Sequence, residues 1–486
     1  MAHHGTPDDR PSYDIRLDSD PGSGTRTEPT ARRERTFRMA VIGDFSGREN
    51  PVGEWRVDRD DFDEVLRAIA PTLRLQLADG MVVDVVIREL DDFHPDQLFT
   101  QVPQFARLRA LRTELANPST FSNAAAELSA PPASAAPRPV LTSPGSLLDS
   151  IIGDDGPNEA AADPNDLYAF IQRAIAPILV ARPDPRQAEL VTNVDGAIAT
   201  LMRAVLHHPA LQSLEALWRG VFRLVRQVDT DERLQVHLVD MNRDALLADL
   251  QTEVQTADTA TSSGLSRRLV ARAPRDEGGW ALLAVHHAFG SEAEDIAALA
   301  RLSALGAALD APCLAEALPT LALGDLSESA AESWRQLRES RAARYLGLAI
   351  PRVLLRLPYG HDTDAIEQFV FEELETPDAH GSYLWGNPSL FCATLLAQGF
   401  TEHGAALTST TPTRIGGLPL HVTRQGGQAQ AKSCAEVVMR HEDAMALQDA
   451  GFIPMCALRD EDVVHVPRIQ SIAEPLSALA GSGLRT

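Results

Sequence analysis

Between residues 36 and 115 the spacing of apolar positions switches back and forth between the strand and helix periods. FRMAVIGDF, apolar from Met39 to Ile42, is followed by the turn signal SGRENP and predicts a buried strand. DRDDFDEVLRAIAPTL then places Phe62, Val65, Leu66 and Ile69 at helical spacing behind an acidic first turn. MVVDVVIREL, rich in β-branched residues, predicts a strand. LDDFHPDQLFTQVPQFARLRALRTEL predicts two helical pieces with prolines near their starts. Strand, helix, strand, helix in this order makes a small α/β layer.

The pattern breaks over residues 117–165, where APPASAAPRPVLTSPG has the composition of a linker. Beyond it, LQSLEALWRGVFRLV places Leu214, Leu217, Trp218, Val221, Phe222 and Val225 on one helical stripe and leaves a polar face with Glu215 and Arg223. RLQVHLVDM, WALLAVHHAF and YLGLAIPRVLLRL are strand-like, and EDIAALARLSALGAAL is a helix with a small-residue face. The fold class predicted is α/β, as two mixed regions joined by a Pro/Ala-rich linker. The divisions are a largely disordered arm over 1–35, a first region over 36–116, the linker over 117–165 and a second region over 166–486. There is no internal repeat at solenoid or propeller periods.

Two apolar segments stand outside these regions. In SYDIRL, Tyr13, Ile15 and Leu17 alternate with polar residues, as in a strand with one apolar face. A lone strand is unstable in water, so it needs a sheet edge, either a neighbour's or this chain's own. In SLLDSII, Leu147, Leu148, Ile151 and Ile152 share one face of a short helix, with Ser146 and Asp149 as a start signal and Gly153 placed to end it. A helix so short becomes ordered by docking, in a partner's groove or on this chain's second region.

Composition narrows the function. A net charge of −24 opposes binding to phosphate backbones, so nucleic acid is excluded as an expected partner. No apolar run is long enough to span a bilayer and the N-terminus has no apolar signal core, so no membrane insertion is expected and the cytoplasm is the expected compartment. Cys313, Cys392, Cys434 and Cys456 are too far apart for a CxxC site or a disulfide framework, and read as reduced core residues. The pairs His207/His208 and His286/His287 are poor metal ligands because adjacent side chains point apart. Glu372 and Glu373 read as a solvated face, and His441 with Glu442 as a helix surface. No cofactor fingerprint is present. An interaction or structural protein is expected, not an enzyme, with no cofactor, metal or catalytic residue.

Two regions resemble the two subunits of the type VI secretion contractile sheath. MAVIGDFSGR, VDRDDFDEVLRAIAPTLRL and ELDDFHPDQLFTQVPQFARLRALR are similar to the small subunit (TssB, or VipA) in order and spacing. HHPALQSLEALWRGVFRLVRQVDTDERLQVHLVDMNRDAL, SWRQLRESRAARYLGLAIPRVLLRLPYG, FVFEE, YLWGNP, GGLPLH and GFIPM resemble the large subunit (TssC, or VipB). The resemblance implies a phage-tail-sheath-like fold and self-assembly into stacked hexameric rings or tubes around an inner-tube protein (Hcp-like), followed by contraction. It also implies baseplate partners and a Clp-type ATPase (ClpV-like) that extracts contracted sheath. Tyr13, Ile15 and Leu17 match the position of an exchanged strand, and Leu147, Leu148, Ile151 and Ile152 that of the ATPase handle. In that family the large subunit continues well past the GFIPM region, so a C-terminally shortened copy is expected here, with an accessory or capping role as the alternative to polymerisation.

Overall fold

The computed structural model describes residues 36–49, 53–78, 80–129, 184–252, 264–272, 279–324, 326–376, 379–403, 406–407, 413–425 and 428–485. The first region opens with β1 (Phe37–Gly43) and the short β2 (Glu54–Val57). Helix α1 (Phe62–Ile69) buries the four residues its spacing selects and carries Asp63 and Glu64 in its first turn, where they complement the helix dipole. The hairpin of β3 (Thr72–Gln76) and β4 (Val82–Val86) is in register from Thr72↔Val86 to Gln76↔Val82 and buries alternate residues. Helices α2 (Pro95–Gln101) and α3 (Pro103–Ala116) each begin at a proline, whose missing N–H costs nothing at that position.

One element falls within the stretch expected to be linker. Helix α4 (Phe121–Ser129) forms at its start and buries Phe121, Ala124 and Ala125. Alanine is the strongest helix former, and these three positions share a face, so an Ala-rich composition served a packed helix here.

In the second region the chain runs through α5 (Gln187–Leu206), α6 (Pro209–Gln227), β5 (Leu234–Asp240), α7 (Arg243–Thr252), α8 (Gly264–Arg272) and β6 (Leu282–Phe289). It continues through α9 (Ala293–Leu309), β7 (Cys313–Ala317), α10 (Glu328–Glu339), β8 (Leu346–Ile350), α11 (Pro388–His403), α12 (His441–Asp449) and β9 (Phe452–Pro454). The principal sheet has the order β9-β8-β7-β6-β1-β5-β2, parallel throughout except for β2 on one edge.

The two regions expected on either side of the linker share this sheet. Strand β1 of the first region lies at its centre, paired with β5 from Phe37↔Leu234 to Gly43↔Asp240 and with β6 from Met39↔Leu282 to Ile42↔Val285. Every residue of β1 is buried; Phe37, Met39 and Val41 enter the core on one face, Ala40 and Ile42 the core on the other. A strand apolar on both sides must be covered on both sides, and the two strands paired with it, β5 and β6, both come from the second region. Residues 36–486 accordingly form one compact unit, in which the stretch between the regions divides the sequence and not the core.

Helix α6 packs over this sheet with its predicted stripe inward. Trp218 meets Phe45 and Phe62 edge-on at 5.3 and 5.7 Å, and its Nε1 donates to the Phe45 carbonyl at 3.2 Å. Gly220 allows the close crossing with α11, since a Cβ there would stand 2.6 Å from Leu390 Cδ1. On the opposite face α7, α8, α9 and α10 enclose the second core through Leu246, Leu250, Leu265, Leu269, Leu299 and Leu337.

Candidate functional site

Away from the sheet, the two regions meet at a junction built from α2, α3 and residues 356–373. Phe99 of α2 packs on Phe105 at 5.5 Å and on Phe369 at 4.6 Å, and Phe369 packs on Phe371 at 5.5 Å. The Asp96 carboxylate accepts the backbone N–H groups of Glu367 (3.0 Å) and Gln368 (3.1 Å). Arg112 Nε donates to Asp195 Oδ1 at 2.6 Å, and Gln187 Nε2 donates to the carbonyls of Leu115 and Ala116 at the end of α3, at 2.8 and 2.9 Å. FVFEE is therefore an alternating strip: Phe369, Phe371 and Glu373 point inward, while Glu372 is exposed and Val370 is 79% exposed.

Beneath this strip lies a buried charge cluster. Arg356 Nε donates to Glu215 Oε1 at 2.8 Å and its Nη1 to Glu373 Oε2 at 2.7 Å, with Nη2 reaching both carboxylates at 3.3 and 3.1 Å. The Tyr359 N–H donates to Glu373 Oε2 at 2.7 Å, and Arg219 bridges from Glu215 Oε1 (2.7 Å) to the Tyr359 hydroxyl (3.1 Å). The Arg356 guanidinium lies 4.0 Å from the Tyr359 ring centre, and His94 meets that ring edge-on at 5.0 Å. His207 Nε2 stands 3.6 Å from Glu373 Oε1, beyond hydrogen-bond length. Burial is the largest influence on the Glu373 carboxyl and would raise it; the Arg356 charge, His207, and hydrogen bonds from Arg356 and the Tyr359 N–H together outweigh it and hold the carboxyl down at about 2.

These contacts correct two sequence readings. Glu215, expected on a polar helix face, is fully buried, and Arg223 of the same face donates to the carbonyls of Gly416 (2.6 Å) and Gly417 (2.9 Å). Glu373, expected on a solvated face, is 1% exposed. In both cases the polar face of one element is covered by a segment distant in sequence. Arg356, Tyr359 and Asp96 were not singled out; the available signal was an arginine within the apolar run RVLLRLPYG, a residue type almost never buried unless paired.

His441 and Glu442 lie exposed on α12, as expected. His208 caps α6 by accepting the Ala210 N–H at 3.2 Å. His286 and His287 are buried on β6. Among the described residues no three His, Cys, Asp or Glu groups gather at metal-binding spacing. Cys313, Cys392, Cys434 and Cys456 are free thiols. Tyr13, Ile15 and Leu17, and Leu147, Leu148, Ile151 and Ile152, lie outside the described residues. Among the described residues no helix is long and apolar enough to cross a membrane.

A central parallel sheet shared by two sequence regions, and a junction of aromatic and ionic contacts between them, define an α/β protein with two co-folded parts. Residues 188–473, more than half of the chain, match the VipB family, described as EvpB/VC_A0108, tail sheath N-terminal domain. The chain belongs to this tail sheath family. Residues 24–128 match a second family, described as type VI secretion system, VipA, VC_A0107 or Hcp2. A curated relative, the type VI secretion system sheath protein TssC1 of Pseudomonas aeruginosa, is 29% identical over 308 residues, covering 59% of this chain and 61% of the relative. The chain thus spans less than two thirds of that relative's length. Segments matching both families occur here in one polypeptide.

Proposed function

We infer that this chain is a structural subunit of a type VI secretion contractile sheath, in which one polypeptide supplies both the small-subunit and the large-subunit parts. The observation that carries the reading is β1: a strand from the segment matching the small-subunit family completes the centre of the sheet built by the segment matching the tail sheath family. The two parts then move as one rigid body when the lattice changes state. Work comes from repacking the interfaces between such bodies, so the role needs no reaction and no cofactor, and the protein is not an enzyme. Assembly takes place in the cytoplasm around an inner-tube protein and on a baseplate. Tyr13, Ile15 and Leu17 add a strand to a neighbouring copy's sheet, and Leu147, Leu148, Ile151 and Ile152 dock in a groove of a Clp-type ATPase.

The test is negative-stain electron microscopy of the purified full chain, alone and with the inner-tube protein. Tubes or stacked rings are expected; uniform small particles in both samples would replace this reading with a non-polymerising cap or baseplate accessory. Removing residues 1–20 is expected to leave monomers, and unchanged assembly would end the strand-exchange role. Leu148→Asp with Ile151→Asp is expected to abolish capture by the ATPase N-domain while the melting temperature holds. A fall in melting temperature would assign that face to the core instead.

A further inference from the structure

One cleft takes no part in the role above. The neighbours of β1 are β5 on one side and β6 on the other, so successive strands wind away in opposite directions and part at their carboxyl ends. Doubly wound sheets hold their ligands at this switch point. A cleft of about 480 Å³ opens there, lined by Asp44 after β1, His286 and His287 on β6, Glu316 on β7, and Arg243 and Arg352. Its size is that of a small-molecule site.

Gln212, Ser213 and Asn387 also line the cleft, but two of its buried groups, Glu316 and His286, have polar atoms that no close partner satisfies among the described residues. Glu316 is 6% exposed, and among the described residues its only charged neighbour of opposite sign is Arg352, whose Nε stands 3.9 Å away. Arg352 is already committed to Glu436, through Nε at 2.9 Å and Nη2 at 2.5 Å. Arg243 is likewise committed, to Asp295 and to the Ala288 carbonyl. His286 is 8% exposed and its Nε2 has no hydrogen-bond partner. Burial brings its pKa down to about 3, so the ring is neutral. With Nδ1 protonated, the neutral ring presents a lone pair at Nε2. An anion is disfavoured, because the backbone amides after β1 that would receive it are filled: Asp240 Oδ1 accepts the N–H groups of Phe45 (2.8 Å) and Ser46 (3.1 Å). Among the described residues, the two arginines of the lining are each paired with a carboxylate, Arg243 with Asp295 and Arg352 with Glu436, which leaves Asp44 and Glu316 without a close cation.

We propose that this cleft binds a small organic cation, a primary ammonium or guanidinium group whose N–H donors satisfy Asp44, Glu316 and His286 Nε2. Burial raises the Asp44 carboxyl and pushes Glu316 up to about 7. A bound cation favours the ionised form, so occupancy expels a proton from Glu316 and affinity falls as pH drops below that value, by about tenfold between pH 8 and pH 6.

Isothermal titration calorimetry of the full chain tests the site with two probes, agmatine as a free amine and an acetylated Gly-Arg-Gly amide as an arginine side chain carried on protein. Saturable one-to-one binding of agmatine at pH 8 is expected, about tenfold weaker at pH 6 and at least about tenfold weaker in Glu316→Gln and in Asp44→Asn. Circular dichroism melts of both variants are expected at or above the wild-type temperature. Binding of the peptide as tight as that of agmatine would identify the occupant as an arginine of another chain; weaker peptide binding would identify a free amine. The proposal is overturned by the absence of saturable binding of either probe at millimolar concentration, or by binding that neither substitution weakens.

Discussion

Glu373 at the junction and Glu316 in the cleft are both withdrawn from water, at 1% and 6% exposure, yet they titrate in opposite directions. Burial opposes the charge of each. At Glu373 a guanidinium at 2.7 Å and a backbone N–H at 2.7 Å, with His207 beside them, together more than compensate, and the carboxyl falls to about 2. At Glu316 the guanidinium is 3.9 Å away and shared with Glu436, burial prevails, and the carboxyl rises to about 7. Depth of burial is therefore a poor guide to what a charged group does. A matched donor set turns it into a structural clamp, and an unmatched one leaves it able to bind.

The comparison is broken most severely at Arg356. Arg356→Met removes the shared donor and strands Glu373, while Arg219 still serves Glu215 at 2.7 Å. A loss of about 3–5 kcal/mol of stability is expected from an uncompensated buried charge, read by urea denaturation at pH 7. Adding Glu373→Gln to that variant is expected to recover part of the loss. A single substitution that costs under about 1 kcal/mol would mean that water reaches the cluster and that the clamp is not closed.

A pH series separates the two carboxyls by sign. Glu373 has a folded value of about 2 against an ordinary 4.5, so its contribution is complete above pH 4.5 and disappears as pH falls toward 2. Glu316 has a folded value of about 7 against the same 4.5. Its ionisation penalty is absent below pH 4.5, grows as pH rises, and is complete above pH 7. Each shift corresponds to on the order of 3 kcal/mol. Glu316→Gln is therefore expected to melt with the wild type near pH 4.5 and above it at pH 8 in the absence of amines. An equal offset at both pH values would show that Glu316 does not titrate across this range.

This contrast also marks what was legible in the amino-acid sequence. Strand β1, helices α1 and α6, and strands β6 and β8 follow from local period alone, because each buries the residues that its own repeat selects. The junction does not. Glu215 sits at the edge of the apolar stripe of α6, where spacing predicts solvent, and it is buried by Arg356, a partner 141 residues away. The shared sheet was hidden for the same reason: β1 announces its burial, but nothing in FRMAVIGDF names β5 as its neighbour. The cleft was hidden more deeply still, since Asp44, His286 and Glu316 come from three strands and converge only once the strand order is known.

The smallest expected effect isolates the term on which the comparison depends. Arg440 and Asp443 form the same kind of two-bond pair as Arg356 with its carboxylates, at 2.9 and 2.8 Å, but Arg440 is exposed and the Asp443 side chain is about half open to water, at 47%. There the side-chain hydrogen bond with Arg440 is the largest influence and lowers the Asp443 carboxyl, whereas at Glu373 burial is the largest. Water solvates either ion as well as its partner does, and salt screens what attraction remains. Arg440→Met is therefore expected to leave the melting temperature within error of the wild type, in low salt and in high salt. A fall like that of Arg356→Met would mean that the geometry of the pair, rather than removal of its ions from water, makes the junction strong, and the contrast between Glu373 and Glu316 would need a cause other than the donors each one meets.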